Sequence, residues 1–453
     1  MHLPYSIGID IGTTAIKAVA FDARGQVLHK TTADCYTHEP QPGYREQDPV
    51  NIWQGFVAAL QQLCTTFAHP PQVVGLSAPM HAFAAFDTAA NPLTPFLIWS
   101  DERSVTIAEA LHRQGLAQPL YKASGTPVHP MSPLCKWLWW QQQQPELQDT
   151  AAQFCGVKEY LWYRLFGEWV IDTTTASATG LFNIHHLMWD HHLLQQFKLT
   201  QEKLPLVQPM DFCRRLPAHV ALPPLLHQVP FVLGGSDGVL AARAGWQSSG
   251  LHCSLSVGTS AALRRITKGP KLHPQAQTFC YHMQEDWFVQ GGPSNNGLIL
   301  LPWLRNEVLE TQTSYEQLLA AAATVAAGSD GLLFMPYLQG ERAPHWNKKL
   351  SAQFINQGPQ QGTGHLVRAV LEGMAYNIKW IGETMQLPPG ENLFTTGAAV
   401  QHPFLMQLLA DVLNCNLHTT ADGDGVALGA AGIGAQATGF SMHVQPLLHT
   451  YTP

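Results

Sequence analysis

Two short turns and one carboxylate stand out in this chain as residues whose types and spacing could do chemistry. Gly12-Thr13-Thr14 follows a strand-like run in which Ile7, Ile9 and Ile11 alternate with smaller or polar residues. Gly258-Thr259-Ser260 follows a second such run just past the middle of the chain, so residues 257–261 echo residues 11–15. Each turn offers backbone N–H groups and hydroxyls to an anion, with no bulky side chain in the way. A lone glycine turn is usually only a turn, but one in each half can grip a polyphosphate from both sides. Lys17, on the strand after the first turn, adds a positive charge, and Asp10 stands directly before that turn. An acid beside a phosphate site is unfavourable unless a divalent cation lies between them, which reads Asp10 as a Mg²⁺ partner. A carboxylate that steadies the hairpin is the alternative.

Asp237 lies in the run Gly234-Gly235-Ser236-Asp237-Gly238, at the end of an apolar stretch over 231–235. Glycines on both sides allow close approach, which suits a general base taking a proton from a substrate hydroxyl. An Asx-turn residue at a strand end would look the same. Met80-His81 and Trp99-Ser100-Asp101-Glu102-Arg103 follow neighbouring strand-like runs. As a cluster, Met80, His81, Trp99, Asp101 and Arg103 suit a sugar, with Asp and Arg dividing its hydroxyls and Trp offering a flat face. Singly, each reads as structural. The histidines at 185, 186, 191 and 192 lack acidic partners at metal-ligand spacing and read as a solvated surface.

Positioning these groups requires an α/β fold. After the first turn, residues 15–21 and 26–30 read as two further strands of a meander. Asp48-Pro49 then reads as a helix cap with Pro at the first helical position, followed by Ile52, Phe56, Val57, Leu60 and Leu63 at helical spacing. Residues 73–78 form a strand that delivers Met80-His81, and helices alternate with strands thereafter. At 453 residues the chain exceeds the ~250–300 that one core supports, so two domains are expected. The boundary is placed near Gly245, giving 1–245 and 246–453 with a cleft between them. A net charge of −7 with no basic stripe argues against nucleic acid. The opening residues lack a signal-peptide pattern, and no apolar run reaches the ~18–20 residues needed to span a bilayer. Eight scattered cysteines without a CxxC argue against disulfides or zinc and fit a reducing cytoplasm.

Longer segments carry a resemblance. Met131-Ser132-Pro133-Leu134-Cys135-Lys136-Trp137-Leu138-Trp139-Trp140 is similar to the first signature of the FGGY carbohydrate kinases, and the stretch from His365 to Gly373 to the end of the second. Within that family, Gly125 to Pro133, Met80-His81, Trp99 to Ser104, residues 156–160, residues 176–180 and Gly340-Glu341-Arg342-Ala343-Pro344 resemble the gluconokinases. The resemblance implies two ribonuclease-H-like domains of the actin and hexokinase type with an active-site cleft between them. It implies ATP and Mg²⁺, and transfer of the γ-phosphate to a hydroxyl of a sugar acid or polyol, gluconate first. A kinase for xylulose or another ketose is the nearest rival; a non-catalytic sugar sensor and a chaperone-type ATPase are remoter. A homodimer is compatible with it.

By the same resemblance Asp237 is the catalytic base. Gly12, Thr13 and Thr14 face the phosphates from one domain, and Gly258, Thr259 and Ser260 from the other. Lys17, Asn296, Gly397 and Ala398 belong to the nucleotide side, Gly397 by the adenosine, and Asp10 sits near Mg²⁺. Arg103 would hold the gluconate carboxylate through two parallel hydrogen bonds, with His81 as a second donor, unless Arg103 only braces its loop. Some positions depart from the family pattern. Ala398 and Leu298 stand where glycines are usual, Asn356-Gln357 replaces a glycine and an aliphatic, and the chain ends at Pro453 before a closing helix. Poorer backbone approach to the nucleotide, hence weaker ATP binding, is the expected consequence.

Overall fold

The computed structural model describes residues 4–275, 277–419, 424–443 and 449–453. They form two α/β domains, each built on one mixed sheet. In the first, Tyr5–Ile11 is central and antiparallel to Ala15–Asp22, which is antiparallel to Val27–Asp34. On the other side Val74–Ala78 and then Pro230–Ser236 run parallel, with Cys213–Arg215 antiparallel at the edge. The second sheet repeats this plan. Cys253–Val257 is central, Ala261–Lys268 and Trp287–Ser294 follow antiparallel, Asn392–Thr396 and Asn416–Thr419 continue in parallel, and His449–Tyr451 closes the edge. Phe279–Gln284 is an added strand beside Trp287–Ser294. The two glycine turns therefore occupy the same place in both domains, at the carboxyl end of the central strand. The duplicated ribonuclease-H-like plan implied by the resemblance is the one observed.

The central strands are almost wholly buried because both of their faces are covered. Helix Pro49–Cys64 covers one face of the first sheet. Asp48 caps it by accepting the Val50 N–H at 2.8 Å, and its apolar stripe, led by Phe56 and Leu60, joins the core of the strands. The third strand is longer than its pattern suggests, since pairing continues to Ala15 opposite Asp34 while alternate residues stay exposed. Helix Asp237–Ser249 starts directly from the last parallel strand and leads into the second domain, so position 245 lies inside a continuous helix.

Helix Gly425–Thr438 belongs to the second half of the sequence, yet it covers the other face of the first sheet. The approach is backbone to backbone. A Cβ at Gly8 would lie 1.8 Å from the Ala427 carbonyl oxygen, one at Gly75 1.9 Å from that of Ala430, and one at Gly429 2.3 Å from that of Leu240. Only a hydrogen fits at these positions, and a helix carbonyl cannot swing aside as a flexible side chain can. Gly8→Ala is therefore expected to destabilise the protein by ~3 kcal/mol, the upper end for overpacking. Gly115→Ala, at φ +72° with nothing within 4 Å, should cost ~1 kcal/mol of backbone strain alone. Chemical denaturation of the two variants checks this; equal losses would mean that the helix is not held by this contact.

Candidate active site

Asp237 is the first residue of its helix, and the strand before it reaches that point through a bulge. Gly234 makes the bulge at φ +65°, where a Cβ would lie 1.7 Å from the Leu76 carbonyl oxygen. A buried relay fixes the turn from behind. Lys158 pairs with Asp172, and both side chains are fully buried. Asp172 accepts the Thr174 and Thr175 amides at 2.8 and 3.1 Å, and Thr174 Oγ1 accepts the Ser236 amide at 2.7 Å. The Asp237 carboxylate itself accepts only the Gly238 N–H among the described residues, at 2.6 Å. Burial pushes its pKa up from the usual carboxylate range, opposed chiefly by the Arg264 guanidinium.

A cavity of about 450 Å³ opens between the domains and brings eight of the expected residues together. Asp237, Met80, His81, Trp99, Thr13, Thr14, Thr259 and Ser260 all line it. Gly12 and Gly258 act differently from expectation. Their N–H groups are spent inside the turns, on the Ala15 and Ser260 carbonyls, each at 2.9 Å. The amides of Thr13, Thr14, Thr259 and Ser260 make no backbone hydrogen bond among the described residues. The glycine amides close the turns, and the amides left without a backbone partner belong to the hydroxyl residues.

Asp10 is the penultimate residue of its strand, opposite Lys17 in the ladder. Burial and the Asp237 charge push its pKa to about 6, with Asp424 adding to this and Lys17 and Lys30 opposing it. No group of three or more candidate metal ligands occurs among the described residues. A cation here would be shared between Asp10 and another ligand, such as a phosphate, and it would relieve the charge that burial disfavours.

His81 adopts φ +71°, and its Nδ1 lies 3.0 Å from the Ala178 carbonyl oxygen. A carbonyl can only accept, so Nδ1 carries the proton and Nε2 keeps its lone pair. Burial pushes the ring pKa down to about 3, so it is neutral. His81 therefore offers an acceptor to a hydroxyl, and the expected donor to a carboxylate is corrected.

Arg103 is a second correction, because it does not line the cavity. Its Nε and Nη2 each reach Asp101 at 2.9 Å, Nη2 also reaches Glu46 at 2.6 Å, and the guanidinium lies over the Tyr44 ring at 4.1 Å. Asp101 borders an adjoining cavity, but its oxygens are occupied by Arg103 and by the Arg45 amide at 2.7 Å. The pair braces its loop, and Arg103 is already ion-paired with two carboxylates of the protein, Asp101 and Glu46.

Asn296 is a third correction. It is buried, and its amide group is taken by the Gly340 carbonyl at 2.8 Å, Glu341 at 3.2 Å and the Gln339 N–H at 3.2 Å. Lys17, Gly397 and Ala398 lie outside the cavity that holds Asp237. Gly397, at φ +95°, lets its loop approach the central strand, since a Cβ would lie 2.4 Å from the Val257 carbonyl oxygen. Ala398 is exposed and Leu298 packs against the second core. Neither side chain is overpacked within the protein itself, so any crowding by them would be against the nucleotide.

Sequence reasoning missed three cations. Lys136, fully buried in helix Pro133–Gln143, donates to the carbonyls of His81, Leu97 and Ile98 and so ties the segment at His81 to the one at Leu97-Ile98. Arg264 and Arg342 line the cavity from the second domain. A charged pair inside the apolar run Ala261–Lys268 was the available signal for Arg264. Arg342 lay in a motif recognised only by resemblance.

The comparisons with known proteins agree with this geometry. The model of the N-terminal domain of the FGGY family of carbohydrate kinases matches residues 5–243, and that of the C-terminal domain matches 253–438. A gluconokinase of Bacillus licheniformis is 34% identical, over 96% of this chain and 88% of its own. The crystal structure of a gluconate kinase from Lactobacillus acidophilus superposes with a TM-score of 0.94 at 29% identity, covering 100% of this chain and 94% of that one. A ligand-bound xylulose kinase from the same organism gives 0.94 at 30% identity, with the same coverage of both chains. The chain belongs to the FGGY family of carbohydrate kinases, phosphotransferases that take ATP as donor and an alcohol group as acceptor.

Proposed function

We propose that this protein is a gluconate kinase, which moves the γ-phosphoryl group of ATP onto a hydroxyl of gluconate. One observation carries the reaction: two amide-bearing turns, one from each domain, converge with the under-partnered Asp237 carboxylate on a single cavity. The 34% identity to a gluconokinase over almost the whole chain supports the substrate.

In this reading the Thr13, Thr14, Thr259 and Ser260 amides hold the phosphates from both sides. Asp237 takes the proton of the attacking hydroxyl as the new O–P bond forms and the bond to the β-phosphate oxygen breaks, releasing ADP. Its raised pKa brings its basicity nearer to what the task needs, and the Arg264 charge opposes that rise. His81 Nε2 accepts from a substrate hydroxyl, and Trp99 offers its ring face to the carbon chain. Mg²⁺, held at Asp10, would neutralise phosphate charge. Two domains meeting over the site exclude water that would otherwise be phosphorylated. Eight unpaired cysteines suit a reducing cytoplasm.

Asp237→Asn should lower kcat by roughly 10²–10⁴ while gluconate binding persists, as measured by coupled ADP release and titration calorimetry. Near-normal turnover would remove Asp237 from the role of base. Asp10→Asn should raise the Mg²⁺ concentration needed for half-maximal rate and leave gluconate affinity unchanged. An unaltered Mg²⁺ dependence would instead make Asp10 a strut of the hairpin. A substrate screen over gluconate, xylulose, ribulose and glycerol decides the acceptor, and a preference for xylulose would overturn gluconate.

A further inference from the structure

We propose that Arg264 and Arg342 together form the seat of the sugar-acid carboxylate and so select an acid over a neutral polyol or ketose. This rests on the gluconate reading and assigns the part of the cavity that recognises the acid group.

Both side chains come from the second domain and reach the sugar wall of the first. Arg264 Nε and Nη2 lie 3.2 Å from the point a Cβ at Gly238 would occupy, and Met80 Cε lies at the same distance from it. The Arg342 guanidinium lies 5.0 Å from the centre of the Trp99 ring. Among the described residues each side chain is anchored by one hydrogen bond: Arg264 Nη1 to Ser256 Oγ at 2.9 Å, and Arg342 Nη2 to the Ser294 carbonyl at 3.3 Å. Among the described residues, the Nε group of each is buried without a partner. A buried N–H left unpaired is costly, so these two groups await an acceptor.

The charge inventory points to an anion. Among the described residues neither arginine forms an ion pair with a carboxylate. Nearby Lys158 is neutralised by Asp172, and Lys136 is committed to three carbonyls. Glu341, next to Arg342, accepts from Ser294, Asn295, Asn296, Asn377 and the Arg342 amide. Two guanidinium groups thus share a cavity in which Asp237 is the facing carboxylate. Burial pushes the pKa of Arg342 down to about 10, and the Arg264 charge acts in the same direction. A neutral polyol leaves this excess in place, whereas a carboxylate brings a full charge and oxygens for both forks. The phosphates of ATP are the other source of such chemistry, but four turn amides already await them.

The test is titration calorimetry with gluconate, with glucitol (the same six-carbon chain without the carboxylate) and with a non-hydrolysable ATP analogue. Arg264→Met and Arg342→Met should each lose about 100-fold more affinity for gluconate than for glucitol, the scale of charge-assisted hydrogen bonds. Arg264→Lys, which keeps the charge but not the fork, should recover part of that difference and reads the same ratio if the Met variant fails to fold. Equal losses for both sugars would overturn the proposal, as would a loss confined to the ATP analogue, which would assign the arginines to phosphate. A wild-type enzyme that turns over xylulose and ignores gluconate would sink the gluconate reading itself. One that turns over gluconate with an unchanged ratio in the variants would sink only the seat.

Discussion

The structure depends on a contact with no side chains in it. Gly8 and Gly75 let the backbone of helix Gly425–Thr438 lie on the first sheet, and Gly429 lets the same helix lie on Asp237–Ser249. A helix from one half of the chain thereby becomes a layer of the other domain. Central-strand ends, and the turns that leave them, then have a fixed relation across the cleft. Without that relation, the Thr13-Thr14 and Thr259-Ser260 amides would be two ordinary hairpin turns. Close approach of this kind gains dispersion contacts at every turn of the helix and tolerates no added methyl group.

Within that frame the buried charges divide by how fully they are satisfied. Asp172, Glu341, Lys136 and Asp101 use nearly all of their hydrogen-bonding capacity inside the protein, and Arg103 is ion-paired with Asp101 and Glu46. Such groups are costly to break and hold loops in one geometry. Asp237, Asp10, Arg264 and Arg342 are held in position but left short of partners. Desolvation without compensation is tolerated where a ligand completes the set. The distinction explains why Arg103, attractive by residue type, is scaffold, while Arg264, four residues past the second turn, is not.

Much of this was legible in the sequence, and the limits have physical causes. The two turns, Asp237 and the capped helix at Pro49–Cys64 are local features: alternation, glycine placement and a cap residue are written within a few positions. The residues that mislead are decided by distant partners. Glu46 satisfies Arg103 from 57 positions away, and Glu341 engages Asn296 from 45. Gly397 was expected beside the adenosine by analogy, and its measurable constraint is the Val257 carbonyl against its Cα hydrogens. Length of the third strand depended on a ladder partner, and Lys136 on three carbonyls from two other loops. No periodicity announces any of these.

The origin of each cavity wall gives the site its logic. Met80, His81 and Trp99 belong to the first domain, while Arg264, Arg342 and the Thr259-Ser260 turn belong to the second. A sugar bound to the first domain alone meets hydroxyl acceptors and an aromatic face, but none of the cavity's arginines. On the proposed reading, the strongest electrostatic contribution arrives only when the second domain is in place, together with half of the phosphate donors. Recognition of charge at one end of the substrate and assembly of the transfer site at the other then become the same structural event. Binding energy from the non-reacting end is thereby available to hold the cleft shut during transfer, which is where it accelerates the reaction rather than merely tightening the complex.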